Sequence, residues 1–251
     1  MKIRIKFRKY GTMKFIGHLD VMRYFQKAIR RADVDVCYSG GFSPHQIMSF
    51  AAPLGVGNTS NGEYVDIEVS STKDSETMKK CLNGVMSEGF EVVSYRGLPD
   101  DAANAMSIVG AGDYTLAFRP GYEPEDMDKE TWFQGLIAFF ERPSVMVTKK
   151  TKRGEKKMDL KPLVYELRIC PEGDGEMEGP RLFMKISAGS AANVKPEQVL
   201  DAYYGFLGKE RPPFAFMVQR EEVYADRASD AEKEAGIHSF ISLEQLGEEI
   251  R

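Results

Sequence analysis

Met1–Ala32 reads MKIRIKFRKYGTMKFIGHLDVMRYFQKAIRRA and carries two periodicities in succession. Ile3, Ile5 and Phe7 alternate with Arg4, Lys6 and Arg8, the period-two signature of a half-buried strand. From Gly17 to Ala32 the apolar positions Leu19, Met22, Phe25 or Gln26, Ile29 and Ala32 recur at helical spacing instead. Val34–Tyr38 and Gln46–Ala52 then read as short strands around the Gly40-Gly41 turn, and Glu63–Val69 alternates again. Ser75–Glu88 is a second helix, with Met78, Leu82, Val85 and Met86 inward and Gly89 as its stop signal. Phe90–Tyr95 closes the set. The order is β-α-β-β-α-β, the ferredoxin-like arrangement.

After the Gly/Ala/Asp-rich stretch Leu98–Gly112 the order begins again. Tyr114–Arg119 reads as a strand and Lys129–Glu141 as a helix holding Trp132, Leu136, Phe139 and Phe140. Val145–Lys149 and Leu163–Ile169 are strands on either side of a basic connection, KKTKRGEKKMDLKP. Arg181–Ile186, a helix over Pro196–Leu207 and a strand over Phe214–Val223 complete a second unit with one extra strand. The expected fold is α+β: two tandem ferredoxin-like halves with antiparallel sheets, residues 1–97 and 113–225, joined by a linker over 98–112. An acidic extension, 226–251, follows, in which Ile237, Phe240, Ile241, Leu243 and Leu246 suggest a short amphipathic helix.

At 251 residues, 42% hydrophobic and 29% charged, the composition is that of an ordinary globular protein. No apolar run approaches the length that crosses a bilayer, and MKIRIKFRKY lacks the apolar core of a signal peptide. A cytoplasmic location without membrane contact is expected. Cys37, Cys81 and Cys170 are widely spaced and odd in number, so no cysteine-ligated metal is expected and each reads as a buried structural thiol. No cofactor is implied.

The net charge of −4 hides an asymmetry. Residues 1–48 carry ten Lys/Arg against three Asp, and residues 145–170 eight against three acids, whereas Arg220–Arg251 has four basic and nine acidic residues. Local patches therefore matter more than the overall charge. Arg23, Lys27, Arg30 and Arg31 lie on the first helix, the first three on a face opposite its apolar stripe, with Asp20 on the same side. Such a run is either a solvated face with local ion pairs or a phosphate-contacting face, to which Arg4, Lys6, Arg8 and Lys9 on the preceding strand would add. His18 and Asp20 stand in the first helical turn, where amide groups favour negative charge, and are the candidates for any catalytic role.

The loop Tyr38-Ser39-Gly40-Gly41-Phe42-Ser43-Pro44-His45 lacks P-loop or dinucleotide spacing. It is either a plain turn or an anion site in which Ser39, Phe42 and His45 take part. A second glycine-rich loop, from Pro53, ends at Glu63, which could hold Arg30 or His18 or stand exposed. Asp159 and Lys161 form the one site-like polar cluster of the second half. No Ser-His-Asp order, carboxylate pair or metal-ligand trio is discernible.

The run FIGHLDVMRYFQKAIRRADVDVCYSGGFSPHQIMSFAAPLGVGNTSNGEYVDIEV resembles the radical SAM-linked protein family, the DUF2344 domain. The shared positions are His18, Leu19, Asp20, Arg23, Ala28, Arg30, Arg31, Ala32, then Tyr38, Ser39, Gly41, Phe42, Pro44, then Pro53, Leu54, Gly57, Ser60 and Glu63. Gly17 departs from the family's serine and Lys27 from its arginine, while Asp159-Leu160-Lys161-Pro162 is similar to the family's D-[IVL]-[RK]-[PS] segment. The resemblance covers nearly the whole chain apart from the acidic tail. It implies a protein fused behind, or encoded beside, a radical SAM protein, often near genes of RNA processing and ribosomes. The chain has no CxxxCxxC and so would be the accessory half.

Three functions follow as expectations. The first is a non-catalytic accessory module that binds RNA or another anionic substrate through the first helix and the YSGGFSPH loop. The second is a scaffold that docks on the radical SAM partner. The last is a free-standing enzyme using His18 and Asp20 on a phosphorylated or nucleotide substrate.

Overall fold

The computed structural model describes residues 1–151, 154–173, 177–189 and 192–251. Its first strand, β1 (Lys2–Lys9), buries Ile3, Ile5 and Phe7 as its alternation requires, but Arg4 and Lys9 are buried too. The helix that follows, α1 (His18–Arg31), buries Val21, Phe25, Ala28 and Ile29, one apolar stripe. Leu19, expected on that stripe, is instead 65% exposed. It falls outside the stripe of Val21, Phe25, Ala28 and Ile29, and Val21 takes the inward position. Next come β2 (Met48–Phe50), β3 (Thr59–Glu68), α2 (Ser75–Asn83), β4 (Phe90–Leu98) and the one-turn helix α3 (Ala105–Ile108). Asp74 caps α2 by accepting from Thr77 N at 2.9 Å. The strands run in the order β4-β1-β3, with β2 also on β3, and every pairing is antiparallel. Phe7, Phe25, Phe50 and Phe90 pack between sheet and α1, with Phe7 and Phe25 centroids 4.4 Å apart.

Two compact units divide the chain: Met1–Gly110 with Arg220–Arg251, and Ala111–Gln219. The second is built from β5 (Val109–Phe118), α4 (Lys129–Phe140), β6 (Met146–Thr151), β7 (Gly154–Asp159), β8 (Val164–Gly173), β9 (Gly179–Ser187), α5 (Pro196–Phe206) and the start of β10 (Phe216–Asp226). Its order is β10-β5-β9-β8, with β5–β9 and β8–β9 antiparallel. Trp132, Phe133 and Leu136 of α4 and Val199 and Tyr203 of α5 pack with Phe118, Leu182 and Phe216 in its core. The stretch read as a basic connection is a hairpin: β6 pairs with β7 from Met146↔Asp159 to Thr151↔Gly154, off the main sheet.

The end of β10 belongs to the first unit, where the strand lies beside β3. After it come a short helix, α6 (Asp230–Glu234), then β11 (Phe240–Ser242) on β10 and β12 (Glu248–Glu249) on β4. Ile237–Leu246 is thus strand and 3-10 turn, not the expected amphipathic helix; Ser242 caps the turn by accepting from Gln245 N. Edge pairing satisfies these amides better than a short isolated helix could. The three cysteines are free and half-buried, short of the burial expected for them.

This C-terminal segment covers the polar face of β1. Arg4 grips Asp66 through two nitrogens, at 2.8 and 2.9 Å, and donates to Leu243 O at 3.2 Å. Lys6 donates to Glu222 at 2.7 Å and Glu244 at 3.1 Å. Arg8 pairs with Glu91 at 3.0 Å. Strand cations expected to help hold an external anion are consumed inside the unit.

Candidate functional site

A charged centre lies in the first unit among the ends of β1, α1 and β3. Glu63, buried on β3, accepts from Arg220 Nε at 2.8 Å and from a second nitrogen of the same guanidinium. Arg220 also donates to Ala52 O at 2.8 Å. Lys9 is buried nearby, with its Nζ donating to Ile16 O at 3.0 Å. Burial pushes the Lys9 ammonium below its usual range and Arg220 pushes the same way, while Glu63 pulls back up. His18, half-buried at the first position of α1, sets its ring edge-on to Phe50 at 5.4 Å. Burial lowers its pKa; the Glu63 charge opposes this and the Lys9 charge adds to it. Two buried cations thus face one buried carboxylate beside the positive end of a helix dipole. Within this centre it is burial, opposed by the Glu63 charge and helped less by that of Lys9, that holds the His18 imidazole below its ordinary value.

Of the residues singled out in the sequence, His18 and Glu63 meet here, joined electrostatically. Glu63 holds Arg220 and not Arg30. Asp20 is in solvent, paired with Arg23 at 3.3 Å, so the two candidates of the first turn are engaged with different partners.

A second group gathers about 12 Å further along α1. Arg30 Nε donates to Gln26 O at 3.4 Å, and Gln46 Nε2 reaches the same carbonyl at 3.3 Å. Gln46 closes the Ser39–His45 loop, so loop and basic face adjoin at that point. Within the loop, Ser39 Oγ lies 2.8 Å from His45 Nδ1, and Ser39 N donates to His45 O at 2.8 Å. Ser39 and His45 therefore close the loop on itself, and Phe42 at its tip is fully exposed. Arg23, Lys27 and Arg30 are exposed on α1. Arg31 turns away, donating to Val85 O at 3.0 Å and lying over the Tyr24 ring.

Asp159 and Lys161 are in the second unit and perform local structural work. Asp159 accepts from Val145 N at 2.8 Å and Lys161 N at 3.0 Å. Burial opposes its ionisation, but these bonds, one from Ser144 and the Lys161 charge outweigh it and hold the carboxyl below its ordinary value. Lys161 Nζ caps the end of α4 at Phe140 O.

Arg220 is the residue that sequence reasoning missed. Its signal is phase: on β10 it falls in register with the buried Phe216 and Val218, where a cation is costly without a partner. Lys9, read as a surface phosphate contact, carries the same signal less clearly because it ends its strand.

No curated protein matches the chain. The model of one family, DUF2344, described as "Uncharacterized protein conserved in bacteria", matches residues 2–196, which span β1 through the first residue of α5 and include every candidate residue except Arg220. The chain belongs to the DUF2344 family.

Proposed function

We propose that the protein is a non-catalytic accessory module of a radical SAM enzyme, acting in the cytoplasm, that binds RNA through the outer face of α1 and the Ser39–His45 loop. One observation carries this reading. The cations of β1 are matched by internal acids or carbonyls, whereas Arg23, Lys27 and Arg30 stand exposed at i, i+4 and i+7 on the helix that the Ser39–His45 loop meets through Gln46, and the Phe42 ring of that loop is bare. Exposed cations and an exposed aromatic on an adjoining loop suit a flexible polyanion whose bases stack.

The fold reading that accompanies it is a tandem ferredoxin-like arrangement, halves at 1–97 and 113–225. The strand orders β4-β1-β3-β2 and β10-β5-β9-β8, with two crossover helices each, support it.

The test is binding of a labelled oligoribonucleotide followed by anisotropy across a salt series. Arg23→Glu with Arg30→Glu should abolish binding, and the wild-type affinity should fall steeply with salt. Absence of binding at low salt, or no change in the double variant, overturns the reading.

A second reading, a scaffold docking on the radical SAM partner, draws on a different observation. Phe15, Leu19 and Val56 are 64%, 65% and 63% exposed around the start of α1. Gly57 N donates to Lys14 O at 2.8 Å, tying the Val56 loop to the Phe15 segment. A Leu19→Asp variant that loses a nuclease-treated partner complex while keeping RNA affinity would favour this scaffold.

A further inference from the structure

Two strand edges of the protein are finished differently. In the first unit β12 closes the edge of β4 with two residues, Glu248 and Glu249, both acidic and exposed. A short edge of one charge sign repels further strands. In the second unit the last strand is β8, ten residues long, with β9 on one side and, among the described residues, no strand on the other. An open edge of that length is a row of backbone donors and acceptors ready to pair. Pro171, which has no N–H, bounds it and leaves Val164–Cys170 free to take a neighbour.

Side chains along this edge carry a pattern of their own. Leu167 and Ile169 are half-buried and pack on the core of the second unit. Glu166 and Arg168 flank Leu167 on the opposite face, 44% and 50% exposed, and Arg168 Nε donates to Glu166 at 2.8 Å. The Arg168 guanidinium also lies 3.9 Å from the centroid of Phe183 on β9, which holds it over the sheet.

Opposite charges two residues apart make an antiparallel edge complementary to itself. If a second copy of β8 pairs about a twofold axis through Leu167, that leucine meets its own copy. Each Glu166 then stands directly opposite the partner's Arg168, an arrangement that stabilises a strand pair. An axis through Glu166 or through Arg168 instead sets like charges opposite each other, which is unfavourable. An axis between residues would oppose side chains from different faces of the sheet. Charge and pleat together select the register centred on Leu167.

We propose that β8 is a homodimerisation edge, at which two copies of the chain join antiparallel along Val164–Cys170 about Leu167. Backbone hydrogen bonds hold the two strands, and two symmetric Glu166–Arg168 pairs fix their register. The edge belongs to the second unit and α1 to the first, so this inference does not rest on the α1 reading.

The experiment is sedimentation equilibrium of the full chain over a concentration series, with amide hydrogen exchange measured at both ends of that series. A monomer–dimer equilibrium should appear, and exchange on Val164–Cys170 should slow as concentration rises. Glu166→Arg places arginine opposite the partner's Arg168 at both symmetric positions and should weaken dimerisation by roughly ten- to a hundredfold. Arg168→Glu should do the same. The double variant Glu166→Arg/Arg168→Glu rebuilds both pairs in reversed order and should recover most of the lost affinity. Both positions are exposed, so every variant should keep the parent's fluorescence from Trp132, which is buried in the core of the second unit. A monomer at every concentration, a dimer indifferent to both single reversals, protection confined to other strands, or a double variant as weak as the singles would each overturn the proposal.

Discussion

Arg4, Lys6, Arg8 and Lys9 on β1 and Arg23, Lys27, Arg30 and Arg31 on α1 are two equal runs of positive charge in neighbouring elements. Their surroundings separate them. Lys6 meets two carboxylates delivered from the far end of the chain, Glu222 and Glu244, and Arg4 grips Asp66 beneath Leu243. On α1 the one ion pair, Asp20–Arg23, is a solvent-exposed i,i+3 contact. The difference teaches that a basic stretch is not a binding surface until its internal acids have been subtracted. On β1 the subtracting is done by Asp66 for Arg4, Glu91 for Arg8 and the C-terminal Glu222 and Glu244 for Lys6, whereas Arg23, Lys27 and Arg30 of α1 stay exposed.

The comparison breaks most visibly at Arg220. Arg220→Ala leaves Glu63 buried without its fork and should lower the stability of the first unit by about 3–5 kcal/mol. Denaturant unfolding followed by circular dichroism checks this, because the chain's one tryptophan, Trp132, lies in the second unit and reports on that unit. A loss below about 1 kcal/mol would mean that Glu63 finds another partner. Lys6→Met comes next. It strands Glu222 and Glu244 beside the Tyr64 hydroxyl, which already donates to Glu222 at 2.5 Å. The expected loss is about 2 kcal/mol, the usual value for hydrogen bonds to charged groups.

What could be read from the sequence follows the range of the forces involved. The alternation of Ile3, Ile5 and Phe7 and the stripe Phe25–Ile29 are local, and each element forms where its period places it. Long-range pairing leaves no local mark. Nothing near Glu63 announces that its partner is Arg220, and nothing near Lys6 announces Glu244. The basic hairpin was hidden for a different reason: KKTKRGEKK has no apolar alternation, so its strands carry a pairing pattern without a burial pattern. In the tail, five apolar residues resemble a helical stripe, yet β10 and β4 offer edges to Phe240–Ser242 and Glu248–Glu249. Of the candidate site, His18 and Glu63 were visible as chemistry out of place. Asp159 and Lys161 stand out for the same reason, and both bond nearby backbone groups, because the residue types that bind ligands also satisfy local backbone.

His18 sharpens the contrast through pH. Its pKa is lowered, chiefly by burial, so above about pH 6.5 it is neutral in both folded and unfolded chains. As pH falls through 6.5 the unfolded chain takes up a proton that the folded chain still refuses. Stability present above that pH is therefore lost on acidification, down to the folded value. His18→Gln should flatten this part of the stability profile below about pH 6.5. Coincident slopes for variant and parent would show that the centre does not hold the proton off.

The smallest expected effect is the most discriminating. Arg23→Ala, Lys27→Ala and Arg30→Ala should each change stability by no more than about 0.5 kcal/mol, since an exposed i,i+3 pair or a bare cation contributes little to folding. On the RNA-binding proposal their effect falls on binding, where each substitution should weaken RNA affinity and reduce the salt slope by about one. Lys6→Met should show the inverse pattern, a large loss of stability and an unchanged salt slope in the fraction that stays folded. If the α1 variants destabilise the protein as Lys6→Met does, the helix charges are structural and the two runs do not differ. If they leave both stability and binding untouched, the face is merely solvated, and the exposed apolar residues at the other end of α1, Phe15, Leu19 and Val56, become the surface through which this protein meets its partner.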